Sequence, residues 1–427
     1  MASSVNGTQP TSKVVSHKDT LTQSLPFATE DQSNWWLDCG FFFARLLDLA
    51  EYTVHQQYQH LLFFHRYMIP HFGPYPPQWK TVSNKSGLPI VFSLNFQQKG
   101  NPVVRVSFEP VSESSGSAED PLNKKPFDEL LSRFVKDGTE NFDTALLDRL
   151  SNELFALDAE VASIPGIADF PIKTHTGLGF DFKNEDTVIK LYVHPRWKSL
   201  ASGIPVRHLI WHSIDALIDE MDAKQAFDIV HEFLTERALY DLRTFLSWDC
   251  RPLSDSRLKF YGLTNDVDLA EIEDIWTMGG RLTDETATEG LKHVRNLWKL
   301  LDINEKPRHY SGDTEAHLNF GPQDHLMPMF WNYEVNSGSE RPSPKVYIPV
   351  YGENDLKVAV ALSNFFESLG WEEKGRSYVE TLKTIFPAQD ISQTSDLQTL
   401  ISFAYTLDKG IYVSVYYHST TSYPGPE

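Results

Sequence analysis

Two spacings of apolar residues take turns along the chain. From about Asp31 to Tyr67 they recur at helical intervals, at Trp35, Phe42, Leu46 and Leu49, which predicts a helix with one buried face. Two runs with the alternation of strands follow, near Ile90–Phe96 and Val103–Phe108. The same succession then returns. Helical stretches near Pro126–Val135 and Phe142–Leu157 precede strands near Leu178–Phe182 and Val188–Val193. Helices near Pro205–Glu220 and Ala223–Thr235 precede strands near Thr244–Trp248 and Arg257–Gly262. Helices near Leu269–Trp276 and Ala287–Leu301 precede strands near Met329–Glu334 and Lys345–Val350. Helices near Leu356–Leu369 and Ser377–Ile385 precede strands near Thr399–Tyr405 and Ile411–His418.

The pattern is a helix–helix–strand–strand unit used about five times, at intervals of roughly 70–85 residues. Units share element order and little sequence. Consecutive strands joined by short turns pair antiparallel. Such hairpins accommodate two arrangements. One is a closed barrel with helices outside and an accessible lumen, which leaves no sheet edge. The other is an open α+β sheet with layered helices. A chain of 427 residues is long for one domain, although barrels routinely exceed the usual length.

Charge narrows the range of partners. There are 58 acidic against 38 basic residues, a formal net charge of −20, so the chain lacks the cationic excess that nucleic acid or an anionic membrane demands. Any anionic ligand must meet cations that are placed locally. Cys39 and Cys250 form neither metal-ligand spacing nor a disulfide framework. Residues 1–30 are rich in Ser, Thr and Gln and read as a disordered lead-in without the apolar stretch of a signal peptide. Residues 31–420 read as one domain and 421–427 as a tail. No run reaches membrane-spanning length. The expectation is a cytoplasmic protein, a monomer or homodimer, with no nucleic acid or membrane partner.

The later strand of several hairpins carries the candidate chemistry. Side chains two apart on a strand share a face. Lys190 and Tyr192 therefore point the same way, as do Arg257, Lys259 and Tyr261, and as do Lys345 and Tyr347. Arg105 occupies the corresponding strand of the first unit. In the last unit Tyr405 lies on one strand, and Tyr412, Ser414 and Tyr416 share a face on the other. If these faces line one lumen, the buried cations require an anion. A diphosphate suits the bidentate arginines and the point charges of the lysines, and tyrosine faces suit a developing cation. An ionising allylic diphosphate needs both. A strand with one solvated face would show the same alternation; recurrence in at least three units of an acidic chain weighs against that account. The chain contains no Asp-Asp-x-x-Asp cluster of the kind that holds magnesium on diphosphates. Gly177-Leu-Gly179 and Gly279-Gly280 lack a complete phosphate-loop fingerprint.

At these residues the sequence resembles the fungal dimethylallyltryptophan synthase family of aromatic prenyltransferases, over nearly the whole chain from about Trp35 to Tyr417. The similar segments include Ser86-Gly-Leu-Pro-Ile-Val-Phe-Ser-Leu-Asn-Phe-Gln97, Val104-Arg-Val-Ser-Phe-Glu-Pro110, Lys190-Leu-Tyr192 and Ser256-Arg-Leu-Lys-Phe-Tyr-Gly262. Gly73-Pro-Tyr-Pro76, Asp274-Ile-Trp-Thr-Met-Gly-Gly280, Pro344-Lys-Val-Tyr347 and Ile401-Ser-Phe-Ala-Tyr405 complete them. The likeness extends to enzymes that prenylate tryptophan-containing diketopiperazines. It implies a closed antiparallel ten-stranded barrel of five ααββ units. It also implies metal-independent transfer from dimethylallyl diphosphate to a small aromatic acceptor, with no cofactor. Arg105, Lys190, Arg257 and Lys259 would bind the diphosphate, joined by Lys345, which falls where many members carry Gln. Tyr192, Tyr261, Tyr347 and Tyr405 would shield the carbocation, with Tyr416 a further candidate.

One position departs from the family. Many indole-using members place Glu in the first strand, against the indole N–H; here it is Val91, which neither accepts a hydrogen bond nor takes a proton. Three readings follow: an acceptor activated by its own oxygen, an indole held in a shifted orientation, or a weakened member. The first two are favoured because the cationic and tyrosine sets are complete. Glu109 shares strand parity with Arg105 and could substitute, although a strand end suits a structural role better. Two rival functions remain. One is prenylation of a phenolic polyketide, and the other is a non-catalytic barrel that sequesters an isoprenoid diphosphate or aromatic metabolite.

Overall fold

The computed structural model describes residues 17–81, 88–170, 173–184, 186–241, 243–305 and 327–418. Its strands are β1 (Ile90–Gln97), β2 (Val103–Phe108), β3 (Thr176–Lys183), β4 (Asp186–Val193) and β5 (Phe245–Asp249), then β6 (Arg257–Thr264), β7 (Met329–Asn336), β8 (Ser343–Pro349), β9 (Gln398–Thr406) and β10 (Gly410–Tyr417). Each pairs antiparallel with its neighbours in sequence, and β1 closes on β10. The open-sheet alternative is therefore excluded. Two or more helices precede each hairpin, and the helices lie outside.

Strand alternation separates two environments. On β2, Val104, Val106 and Phe108 are buried against the helices, while Arg105 faces inward. On β6, Phe260 turns outward and stacks on Trp211 of the helix Val206–Glu220, with ring centres 5.7 Å apart. On β9, Phe403 packs against Trp276 of the helix Leu269–Thr277 at 5.4 Å. The main core is thus an annulus between barrel and helices. One close approach falls at Gly290 in the helix Glu285–Leu301, where a Cβ would lie 2.2 Å from Trp276 Cζ2.

The first helical stretch differs from the single helix its spacing predicts. The segments Glu30–Trp35 and Phe41–Leu49 are joined by a π-helical turn, and the chain then breaks before Val54–Phe63. Glu51 adopts a left-handed φ of 58°. Thr53 starts the next segment with a capping box: its hydroxyl accepts from Gln56 N–H while the Gln56 side chain accepts from Thr53 N–H. Local hydrogen bonding thereby outcompetes continuation of the helix. The expected lead-in also needs correction, since His17–Ser24 is helical and buries Leu21 in the core. Residues 1–16 of that lead-in and the tail 421–427 lie outside the described residues. Cys39 and Cys250 are both buried and unpaired. Among the described residues no helix is long and apolar enough to cross a membrane.

Candidate active site

Closure turns the inward strand faces into one lumen, with a cavity of about 970 Å³. The register fixes what faces it. Arg105 pairs with Ser93 and Asp181, Lys190 with Gly179 and Asp249, and Lys259 with Ser247 and Glu334. Arg105, Lys190, Arg257, Lys259 and Lys345 all line the cavity, so every cation expected in the site is there.

Sequence reasoning missed the acids that accompany them. Asp181, Asp249 and Glu334 sit on the earlier strand of their hairpins, each across from a cation. Asp181 contacts Lys190 Nζ at 2.5 Å and Arg105 Nε at 3.3 Å. Arg257 bridges Asp249 at 2.7 Å and Glu334 at 3.1 Å, and Lys259 lies 3.6 Å from Asp249. Burial works against ionisation of Asp181, but Arg105 and Lys190 outweigh it and hold the carboxyl well below its usual range. Asp249 is held low in the same way, by Lys259 and Arg257 against burial. Burial pulls the Lys190 amine down to about 7, with Asp181 opposing. Burial, then Arg105, Lys259 and Lys190, pull Lys345 well below the ordinary lysine range. These acids lower the electrostatic cost of bringing the cations together in the lumen, and the cationic side chains outnumber them.

Next to the cations stands a series of phenols. Tyr192, Tyr261, Tyr347 and Tyr416 follow one another round the lumen with ring centres 5.9, 6.3 and 6.0 Å apart. Asn332 Nδ2 donates to the Tyr347 hydroxyl at 2.8 Å. Burial pushes all four phenols above their usual range, which keeps them neutral. Phe245 lies flat on Tyr261 at 4.6 Å, and His194 packs tilted against Phe245 at 4.6 Å; sequence reasoning named neither. The Tyr192 ring leans over Gly179, where a Cβ would come within 2.9 Å of it.

Tyr405 does not join this series. It pairs with Ile411, whose side chain is buried outside the barrel. Its ring lies 5.7 Å from His293, and its Cβ falls beside Gly290 on the outer helix. The small residues Ser402 and Ala404 hold the inward positions of β9, so Tyr405 touches the cavity only at its rim. Val91 shares the inward parity of Ser93 and pairs with Ser107, which lines the cavity. It is 5% exposed. Glu109 is structural: Trp79, Asn123 and Thr174 all donate to its carboxylate, and it is not among the residues that line the cavity. No group of three or more described His, Cys, Asp or Glu is placed to hold a metal.

A closed barrel of ααββ units with cations beside a phenol cage defines an aromatic prenyltransferase. The comparisons agree. Residues 31–381 match the model of the tryptophan dimethylallyltransferase family, and the chain belongs to that family. It is 41% identical to echinulin prenyltransferase 1 of Aspergillus ruber over 95% of this chain and 98% of that one. It is 40% identical to deoxybrevianamide E synthase notF of Aspergillus sp. (strain MF297-2), over 93% of this chain and 89% of that one. The crystal structure of NotF in complex with brevianamide F and DMSPP superposes with a TM-score of 0.87, covering 96% of this chain and all of that one, at 38% identity.

Proposed function

We propose that this enzyme transfers a dimethylallyl group from dimethylallyl diphosphate to the indole of a tryptophan-derived diketopiperazine or a hydroxyindole, without a metal. The observation that carries the reading is the contiguity of the cations with the tyrosine series inside one closed lumen. Arg105, Lys190, Arg257, Lys259 and Lys345 take the diphosphate, whose negative charge balances the cationic excess. Tyr192, Tyr261, Tyr347 and Tyr416 enclose the allyl chain. The C–O bond breaks, its electron pair leaves with diphosphate, and the rings stabilise the allyl cation and exclude water. An aromatic carbon then forms the new C–C bond and sheds its proton to a base or water, restoring aromaticity. Because Val91 offers no carboxylate, orientation by the lumen wall or an acceptor oxygen substitutes for the usual contact.

Purified protein incubated with dimethylallyl diphosphate and EDTA, against tryptophan diketopiperazines, hydroxyindoles and polycyclic phenols, tests this. A product heavier by one dimethylallyl unit on an indole is expected. Product on phenols alone would transfer the assignment to a phenolic polyketide, and donor binding without turnover would make the barrel a sequestering protein. Val91→Glu is expected to raise kcat/KM on simple tryptophan diketopiperazines by about 10–100-fold. No gain with any indole would count against this account of position 91.

A further inference from the structure

The lumen cations fall into two kinds. Arg105, Lys190, Arg257 and Lys259 each have a carboxylate within 4.0 Å. Lys345 has no ion pair among the described residues. Its cross-strand partner on β7 is the neutral Asn332, and its Nζ lies 5.4 Å from the centre of the Tyr347 ring. The charged groups that face it are mostly cationic: Arg105 from β2, Lys190 from β4, and Lys259 from β6. Glu334 from β7 opposes them and is already engaged by Arg257. The acids of β3 and β5, Asp181 and Asp249, are spent on Lys190, Arg105, Arg257 and Lys259. β9 presents the neutral Ser402, Ala404 and Thr406, with Tyr405 at the rim, and β10 the neutral phenols of Tyr412 and Tyr416.

A lysine surrounded in this way is favoured as the neutral amine while the lumen is empty, and as the ammonium once an anion arrives. We propose that Lys345 is the residue that recognises the donor diphosphate by taking up a proton as the donor docks. The step is a protonation: the amine lone pair binds one proton drawn from solvent, and the resulting ammonium donates to a phosphate oxygen. Burial draws Lys190 down as well, but Asp181 lies 2.5 Å from its Nζ and favours its ammonium, whereas Lys345 has no carboxylate partner among the described residues; the Lys345 variants separate the two contributions. This deepens the function proposed above and rests on it.

Calorimetry with dimethylallyl thiolodiphosphate at pH 8, in buffers of different ionisation heat, counts the protons taken up. About one per ligand is expected for the wild type. Its Kd is expected to rise towards tenfold per pH unit between pH 8 and 9, where the ligand is fully ionised and a single group changes protonation on binding. Lys345→Gln should bind roughly tenfold more weakly at pH 7, and both Lys345→Gln and Lys345→Arg should take up about one proton fewer than the wild type. Tight binding without uptake in the wild type would overturn the inference and leave the transferase reading intact. Unchanged uptake in both variants would overturn it in favour of another group. Failure of the wild type to bind the analogue at any pH would remove the prenyl-donor reading itself.

Discussion

Phe260 and Tyr261 are neighbours on β6 and occupy different solvents. Phe260 is fully buried between barrel and helices, against Trp211 and Phe227. Tyr261 faces the lumen, with Phe245 flat beneath it and tyrosines on either side. The outer face obeys the rules of a protein core, where volume and shape decide stability. The inner face holds charges and phenols whose clustering suits the proposed donor. One strand therefore carries two separable selections, one residue apart.

The largest test of that separation is Phe260→Ala. It should lower unfolding free energy by about 3–5 kcal/mol, read by urea denaturation, and leave the activity per folded molecule within about twofold of wild type. A large loss of specific activity would show that the two faces are coupled. Glu109 sharpens the boundary, because it has inward parity and yet lies in dry surroundings, 1% exposed. Burial raises its carboxyl to about 7, against the pull of the Thr174, Trp79 and Asn123 donors. The folded state then binds more protons than the unfolded state between the two pKa values. Stability is full below the unfolded value near 4.5 and is lost as pH rises through about 7. Denaturation between pH 5 and 7.5 should show a decline of up to about 3 kcal/mol, and Glu109→Gln should flatten it. Tyr261→Ala should cost about 100-fold in kcat with less than about 1 kcal/mol in stability, and Tyr261→Phe less than about 10-fold. Equal losses would assign the role to the hydroxyl and not to the ring.

Most of the architecture is legible in the sequence because one face of each strand is apolar and the turns between paired strands are short. All the strands fall where the alternation places them, and Arg105, Lys190, Tyr192, Arg257, Lys259, Tyr261, Lys345, Tyr347 and Tyr416 share the lumen. The misplacement of Tyr405 has a simple origin. In Ile401-Ser-Phe-Ala-Tyr405 the choice of face is set by register with β8 and β10, which strand-local pattern does not specify. The small residues Ser402 and Ala404 were the available signal. Asp181, Asp249 and Glu334 escaped because an isolated acid on a strand resembles a solvated position. Only pairing between successive hairpins, β2 with β3, β4 with β5 and β6 with β7, shows that each opposes a cation. The break at Glu51–Thr53 was readable in principle, from Thr53 followed three residues later by Gln56.

Closure of β1 on β10 also bears on how the protein is made. Asn95 donates to Ser414 at 2.9 Å across that seam, 319 residues apart in the chain. During synthesis β1 waits for its partner until almost everything else has been translated, and contacts of such separation form late. Throughout that interval the nascent sheet has two open edges and an exposed interior of lysines, arginines and acids. Those charges, which lie on β2–β8 and not on β1, discourage unfinished sheets from packing face to face, because burying them unpaired is costly. The lumen cations proposed to receive the diphosphate would thus protect assembly as well, and a chain ending before β10 would carry nearly every lumen-facing side chain without a vessel to hold them.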